Sequence, residues 1–129
     1  MQELILGTAQ LGLLYGVNNK KGKPNKEESF KILEYAYNNG IRILDTASGY
    51  GESEKIIGEY SDLSGNQFEI ITKLGSIDES REMLSFLNQQ INNSLYNLGK
   101  KCIEIYLIHN FNDLIYNKNL INESRCPII

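Results

Sequence analysis

The chain has 129 residues, of which 41% are hydrophobic and 22% are charged, and its formal net charge at pH 7 is −3. This length suits one compact domain, and the composition is typical of a folded globular protein rather than a disordered one. Because basic and acidic residues are mixed, no basic face is offered to nucleic acid. No basic amino-terminal segment precedes an apolar run, and no stretch is long enough to span a bilayer, so we expect a cytoplasmic protein without nucleic-acid or membrane partners.

The cysteines and the basic run carry no chemical signal. Cys102 and Cys126 lack the spacing of metal ligands, and the single histidine, His109, stands apart from both. We expect reduced thiols and no metal site. The run Lys20-Lys21-Gly22-Lys23 lies in a Gly- and Asn-rich stretch and is typical of a solvated loop.

The amino-terminal region predicts one strand and one helix. The apolar run at residues 4–6 is typical of a buried strand, which Gly7-Thr8 ends before a loop that reaches residue 24. Asn25 and Glu28 have the spacing of a capping box, so a helix should begin there. Gly40 is the left-handed residue that ends it. The apolar positions of this helix are Phe30, Leu33 and Tyr37.

The central region predicts two more strands with a helix between them. Residues 41–44 and residues 68–72 are short apolar runs, and a helix begins near Ser53. The inward-facing residues of this helix are Ile56, Ile57 and Tyr60.

The longest helix is predicted over residues 78–98, where Gly99 ends it. Residues 103–108 form a fourth strand, and residues 113–116 look like the start of a further helical region. The apolar stripe of the long helix is Leu84, Leu87, Ile91, Leu95 and Leu98.

Strands and helices thus alternate, which is the pattern of right-handed βα crossovers and of a parallel sheet. Such a sheet is either open and doubly wound or part of a closed barrel. The Gly-rich dinucleotide fingerprint is missing after the first strand, where Gly7-Thr8-Ala9-Gln10-Leu11-Gly12 stands, and Gly22-Lys23 lacks the rest of a P-loop. Both nucleotide motifs of open sheets are therefore absent from these positions.

Titratable residues stand where the predicted strands end. Asp45, Lys73 and His109 follow three successive strands, and Tyr50 comes shortly after Asp45. In an α/β barrel the carboxyl ends of the strands meet on one face, where the chemistry takes place. We therefore expect these four side chains to converge as a proton-transfer set. Singly, each has a structural interpretation: a turn cap, a packed aromatic, a solvated lysine or a partly buried histidine.

At these positions the chain resembles the aldo-keto reductases, which are NAD(P)H-dependent enzymes with an eight-stranded α/β barrel. The resemblance covers the chain to about residue 122. The resemblance implies the α/β fold class of the TIM-barrel type. A complete barrel needs about 250 residues, so we expect this chain to form four parallel βα units, or about half of a (β/α)8 barrel. Residues 1–129 are interpreted as the truncated amino-terminal portion of such a domain. The matching strings are Leu6-Gly7-Thr8-Ala9, Gly40-Ile41-Arg42-Ile43-Leu44-Asp45-Thr46-Ala47, Tyr50-Gly51-Glu52-Ser53-Glu54, Ile71-Thr72-Lys73 and Tyr106-Leu107-Ile108-His109-Asn110.

The resemblance implies a role for each of these residues. Tyr50 is the general acid that protonates a carbonyl oxygen while hydride passes from the nicotinamide, and Lys73 is the ammonium that favours the phenolate. Asp45 holds Lys73 charged, and His109 polarises the carbonyl oxygen. Asn110 helps to position the substrate or the nicotinamide carboxamide. The residues expected to contact the cofactor, NADPH or NADH, are Gly7, Thr8, Asp45 and Asn110.

The short length limits what is expected of this chain alone. The family binds most of its cofactor with the second half of the barrel, so the main binding loops are absent and we expect no turnover from this chain by itself. Open sheet edges favour self-association or pairing with a second half-barrel. The alternative is a non-catalytic remnant or an interaction module that keeps the fold. The substrate, expected to be a small aldehyde, ketone or sugar, is left open.

Overall fold

A computed structural model describes residues 4–17, 19–77, 82–110 and 112. Strands and helices alternate along this part of the chain, with one additional short helix after the first strand. The elements are β1 (Ile5–Gly7), α1 (Ala9–Gly12), α2 (Lys26–Asn38), β2 (Ile43–Asp45), α3 (Ser53–Ser64), β3 (Glu69–Leu74), α4 (Met83–Leu98) and β4 (Ile105–Ile108).

The strands of the described residues form one parallel sheet in the order β1-β2-β3-β4. A doubly wound sheet reverses its strand order at a switch point, whereas a barrel adds each strand beside the previous one. The sequential order is therefore that of a barrel wall, and the predicted half-barrel of four parallel strands is confirmed. In this register Gly7 lies beside Asp45, and Lys73 lies beside Leu107.

The two faces of the sheet differ in burial. The face toward the helices carries the core, in which Leu44 and Ile70 are completely buried. The opposite face, which would line the inside of a closed barrel, leaves Ile5 at 50% and Leu107 at 42% exposed. The main core cluster consists of Leu11, Leu33, Leu44, Ile56, Ile57, Tyr60, Phe68, Ile70 and Leu98.

The predicted ends of the second helix are confirmed. Asn25 accepts a hydrogen bond from the Glu28 amide, and the Glu28 carboxylate accepts one from the Asn25 amide, which completes the capping box. Gly40 follows the helix with a φ of 87°, and Gly99 ends α4 with a φ of 63°. Both angles favour glycine because it lacks a Cβ.

The strand bounds differ from prediction by one or two residues. β2 begins at Ile43 rather than at residue 41 and includes Asp45, while β3 continues to Leu74. Sequence reasoning also predicted a loop where α1 lies. This single turn forms because it buries Leu11 against α3, a tertiary contact without a local signal.

The apolar stripe predicted for α4 is wrong at its first position. Leu84 is 47% exposed, and Phe86 is buried in its place. The helix begins at Met83, and the Glu82 carboxylate caps it by accepting from the amides of Leu84 and Ser85. The predicted start at residues 78–81 and the predicted helical region at residues 113–116 lie outside the described residues.

The predictions on membrane spans, cysteines and the basic run concern the surface of the described residues. None of its helices combines the length and the apolarity that a bilayer crossing requires. Cys102 is an exposed free thiol, whereas Cys126 lies outside the described residues. Lys20 and Lys21 are exposed as expected, but Lys23 forms an ion pair of 2.6 Å with Glu52.

Candidate active site

The four residues of the predicted proton-transfer set meet at the carboxyl ends of the strands. The Lys73 ammonium donates a hydrogen bond to Asp45 Oδ1 and a second one, of 2.9 Å, to the Thr46 carbonyl oxygen. It also lies 5.3 Å from the centre of the Tyr50 ring. On the far side, the rings of Tyr50 and His109 meet edge to face, with centroids 5.7 Å apart and planes at 88°. The contacts therefore run in series from the carboxylate to the imidazole.

Lys73 occupies an environment that suits a charged ammonium. Its side chain is 16% exposed, compared with 40% for the Asp45 side chain. Removing an ammonium from water is costly unless hydrogen bonds and an opposite charge compensate for the lost hydration. Asp45 and the Thr46 carbonyl oxygen supply both, so the site holds a positive charge beside the phenol ring of Tyr50.

The loop that carries Tyr50 is held by a very close backbone contact with α1. A Cβ added to Gly12 would lie 1.5 Å from the Tyr50 carbonyl oxygen, so only glycine fits at this position. Gly51 has a φ of 55°, and a Cβ there would lie 2.5 Å from the Gly12 carbonyl oxygen. The loop therefore packs directly on the short helix that follows β1.

An ion pair also ties this loop to the loop after β1. Lys23 Nζ lies 2.6 Å from Glu52 Oε2, and the hydrogen bond and positive charge of Lys23 hold the pKa of the Glu52 carboxyl below its usual value. Both groups are at the surface, where such a pair contributes little to stability. Its effect is to hold the two loops side by side.

Buried hydroxyl groups lie beneath the site and connect β1, β2 and α3. Thr8 Oγ1 donates to the Asp45 carbonyl oxygen at 2.9 Å, and Thr46 Oγ1 donates to Ser53 Oγ at 3.0 Å. Ser53 Oγ in turn lies 3.1 Å from the Thr8 carbonyl oxygen. The structure thus places the hydroxyl of Thr8, which was predicted to contact the cofactor, within the fold, where Thr8 is 1% exposed.

A cavity of about 300 Å³ opens beside Tyr50. Sequence reasoning placed four of its lining residues in the site, namely Gly7, Thr8, Asp45 and Tyr50, but assigned no role to Gln10 or Tyr15. Their signal is positional, because both follow β1 and such loops belong to the catalytic face of a barrel. Asn110 lies one residue beyond His109 and accepts a hydrogen bond of 3.0 Å from the Asn112 amide. The lining residues are Gly7, Thr8, Ala9, Gln10, Tyr15, Asp45 and Tyr50.

Parallel strands in sequential order, with an ion pair and a tyrosine at their carboxyl ends, define part of the wall of an α/β barrel. Comparison with known sequences agrees. A profile of the Aldo/keto reductase family matches residues 3–120. The chain belongs to this family, as the sequence resemblance predicted.

Individual relatives show the same likeness over part of their length. Aldo-keto reductase str7 of Strobilurus tenacellus is 33% identical over 109 residues, which cover 81% of this chain and 31% of the relative. Norsolorinic acid reductase B of Dothistroma septosporum is 37% identical over 70 residues, 53% of this chain and 17% of the relative. The chain therefore aligns with less than a third of either protein.

Solved structures support the fold. A Pseudomonas aeruginosa structure described as an aldo-keto reductase has a TM-score of 0.74 and 27% identity, and the match covers 99% of this chain and 53% of that one. A thermostable aldo-keto reductase crystallised with the inhibitor epalrestat has a TM-score of 0.65 and 23% identity, covering 100% of this chain and 47% of that one. The chain spans about half the length of these structures.

Proposed function

We propose that the chain supplies the acid–base residues of an NAD(P)H-dependent oxidoreductase that reduces an aldehyde or a ketone. The observation that supports this proposal most strongly is the contact series from Asp45 through Lys73 and Tyr50 to His109. An ammonium held beside a phenol favours the transfer of the phenolic proton to a substrate oxygen. Tyr50 is the proposed proton donor.

Each of the other residues has a task in this scheme. Lys73 stabilises the negative charge that remains on the Tyr50 oxygen after the proton leaves, and Asp45 keeps Lys73 charged and in place. His109 lies against the Tyr50 ring. From there a ring N–H group can donate a hydrogen bond to the carbonyl oxygen of the substrate and polarise it. The carbonyl carbon then becomes a better acceptor for the hydride that a nicotinamide, when bound, would supply.

The described residues fit one end of the cofactor. Apart from the Asp45 carboxylate, the cavity beside Tyr50 is lined by neutral residues, and a Cβ at Gly7 would meet no atom within 4 Å. Uncharged nicotinamide fits this lining, whereas phosphate groups need cationic or amide donors. We therefore propose that Gly7 and Thr8, with Asp45 and Asn110, lie at the nicotinamide end and that the phosphates bind outside the described residues.

Turnover is proposed to need the remaining strands of the barrel. The inner face of the sheet exposes apolar side chains, and the edges of β1 and β4 are unpaired among the described strands. A second half-barrel would cover that face and provide the cofactor loops. A second copy of this chain would cover the face too, but it would duplicate the acid–base residues.

Reconstitution tests this proposal. The chain is mixed with the carboxyl-terminal half of the Pseudomonas aeruginosa relative, and NADPH oxidation is followed in the presence of a small aldehyde. We expect turnover only when both halves are present. A stable but inactive complex would favour the alternative of an interaction module. Micromolar NADPH binding by this chain alone, measured by calorimetry, would contradict the proposed location of the phosphate site.

A further inference from the structure

Glu54 is a buried carboxyl group that the acid–base scheme does not use. It is the second residue of α3 and is 3% exposed. Its Oε1 accepts a hydrogen bond of 2.7 Å from Thr72 Oγ1, and Thr72 is completely buried. In the described part of the chain no lysine or arginine forms an ion pair with Glu54.

A carboxyl group in this position is costly for a globular fold. Moving a carboxylate out of water costs several kcal/mol unless hydrogen bonds and favourable dipoles compensate. Glu54 obtains part of that compensation from the amino terminus of α3, where the helix dipole favours negative charge, and part from the Thr72 hydroxyl. The hydrogen bond is therefore strong and directional, so it fixes one distance between α3 and β3.

That distance bears directly on the candidate site. The Ser53 amide donates to the Tyr50 carbonyl oxygen at 3.0 Å, so Tyr50 is coupled to the residue before Glu54. Lys73 directly follows Thr72 on β3 and points to the other face of the sheet, where it meets Asp45. The Glu54–Thr72 bond thus joins the helix start behind Tyr50 to the strand that carries Lys73.

Two further hydroxyl groups, those of Tyr106 and Ser94, lie in the surroundings of Glu54. Burial raises the pKa of Tyr106, the negative charge of Glu54 raises it further, and the nearby Ser94 hydroxyl opposes this. Among the described residues neither the Ser94 nor the Tyr106 hydroxyl has a hydrogen bond of good geometry. Neither hydroxyl therefore takes the place of Thr72 as the donor to Glu54.

We propose that Glu54 is a positioning residue, whose hydrogen bond to Thr72 sets the separation between the Tyr50 ring and the Lys73 ammonium. Its importance for catalysis rests on the proposed function, but the geometric claim does not. A purely structural role would predict a less stable protein with an unchanged site.

His109 provides a reporter that needs no activity. It is the only histidine of the chain, so its ring protons give unambiguous NMR signals, and its ring lies edge to face with Tyr50 at 5.7 Å. The ring current of Tyr50 displaces those signals, and a Tyr50→Leu variant measures by how much. Any movement of Tyr50 relative to the sheet changes this displacement.

Three variants test the hydrogen bond. Thr72→Val keeps the shape but removes the donor, and we expect the His109 signals to move most of the way toward those of Tyr50→Leu. Glu54→Gln leaves only a neutral acceptor and should move them partly in the same direction. Thr72→Ser keeps the hydroxyl and should leave them at the wild-type positions. Ser64→Ala is the matched control, because it removes a local bond to the Tyr60 carbonyl oxygen at the other end of α3.

The outcomes separate this inference from the proposed function. The positioning role would be overturned if the His109 ring signals stay at their wild-type positions in both variants, Thr72→Val and Glu54→Gln, while both remain folded. If Thr72→Val does not fold, the result for Glu54→Gln alone decides. In a reconstituted enzyme Thr72→Val should lower kcat at unchanged KM for NADPH. Displaced signals in a complex without any turnover would leave the positioning role standing and remove the proposed reductase activity instead.

Discussion

Replacing Gly12 with alanine should damage both the stability of the fold and the geometry of the site. The added Cβ would lie 1.5 Å from the Tyr50 carbonyl oxygen and 2.9 Å from the Ser53 nitrogen, while ordinary contacts begin at 3.4 Å. The short helix α1 and the Tyr50 loop must therefore separate by about 2 Å. Because the opposing atoms are backbone, no side-chain rotation relieves the clash, and we expect a loss of about 3 kcal/mol, the upper end of typical overpacking costs.

Urea unfolding followed by far-UV circular dichroism measures this cost, and Gly49→Ala is the matched control. Gly49 lies in the same loop, its φ is not positive, and an added Cβ there meets nothing within 4 Å. The control should remain within about 0.5 kcal/mol of the wild type or gain slightly. The His109 ring signals should move in Gly12→Ala only. Equal stability of the two variants, with unchanged His109 signals, would refute the close contact.

Three further predictions concern a helix cap, buried tyrosines and the candidate ammonium. Asn25→Ala should lower the free energy of unfolding by about 1 kcal/mol in urea, whereas Asn25→Asp should not; an unchanged Asn25→Ala would contradict the capping box. Burial raises the pKa of Tyr60 and of Tyr106 in the folded state, and Glu34 and Glu54 respectively raise them further. The folded protein then keeps phenolic protons that the unfolded chain releases above about pH 10, so stability is intact below that pH and falls as pH rises through the folded pKa values. Unfolding measured from about pH 8 to about pH 11 should show a shallower decline in Tyr106→Phe, and an equal decline would count against this cause. In a reconstituted enzyme Lys73→Met should reduce kcat strongly, and a kcat equal to that of Lys31→Met, an exposed lysine on α2, would remove Lys73 from the acid–base scheme.

The features that sequence reasoning predicted correctly are those with local signals. The capping box of Asn25 and Glu28 and the left-handed glycines 40 and 99 need only neighbouring residues. The alternation of strands and helices then fixes a parallel sheet, and the strand ends bring Asp45, Tyr50, Lys73 and His109 together.

The missed features all depend on tertiary contacts. The sequence around Leu84 does not indicate that Phe86, rather than Leu84, faces the core. The packing of α4 against α3 decides the rotation of α4 about its axis. The approach of Gly12 to Tyr50 joins segments far apart in the chain, and so does the bond from Thr72 to Glu54. The bond from the Thr8 hydroxyl to the Asp45 carbonyl oxygen is another such long-range contact, while the cofactor contact of Thr8 stays a prediction.

The most direct test of the proposed function compares Tyr50→Phe with Tyr35→Phe in the reconstituted barrel. Tyr35 is 73% exposed on α2 and does not line the cavity beside Tyr50, so its substitution controls for the loss of a hydroxyl group. We predict that Tyr50→Phe abolishes aldehyde reduction while NADPH binding stays unchanged, and that Tyr35→Phe keeps the full rate. Aldehyde reduction by Tyr50→Phe at the wild-type rate would contradict the assignment of Tyr50 as the proton donor.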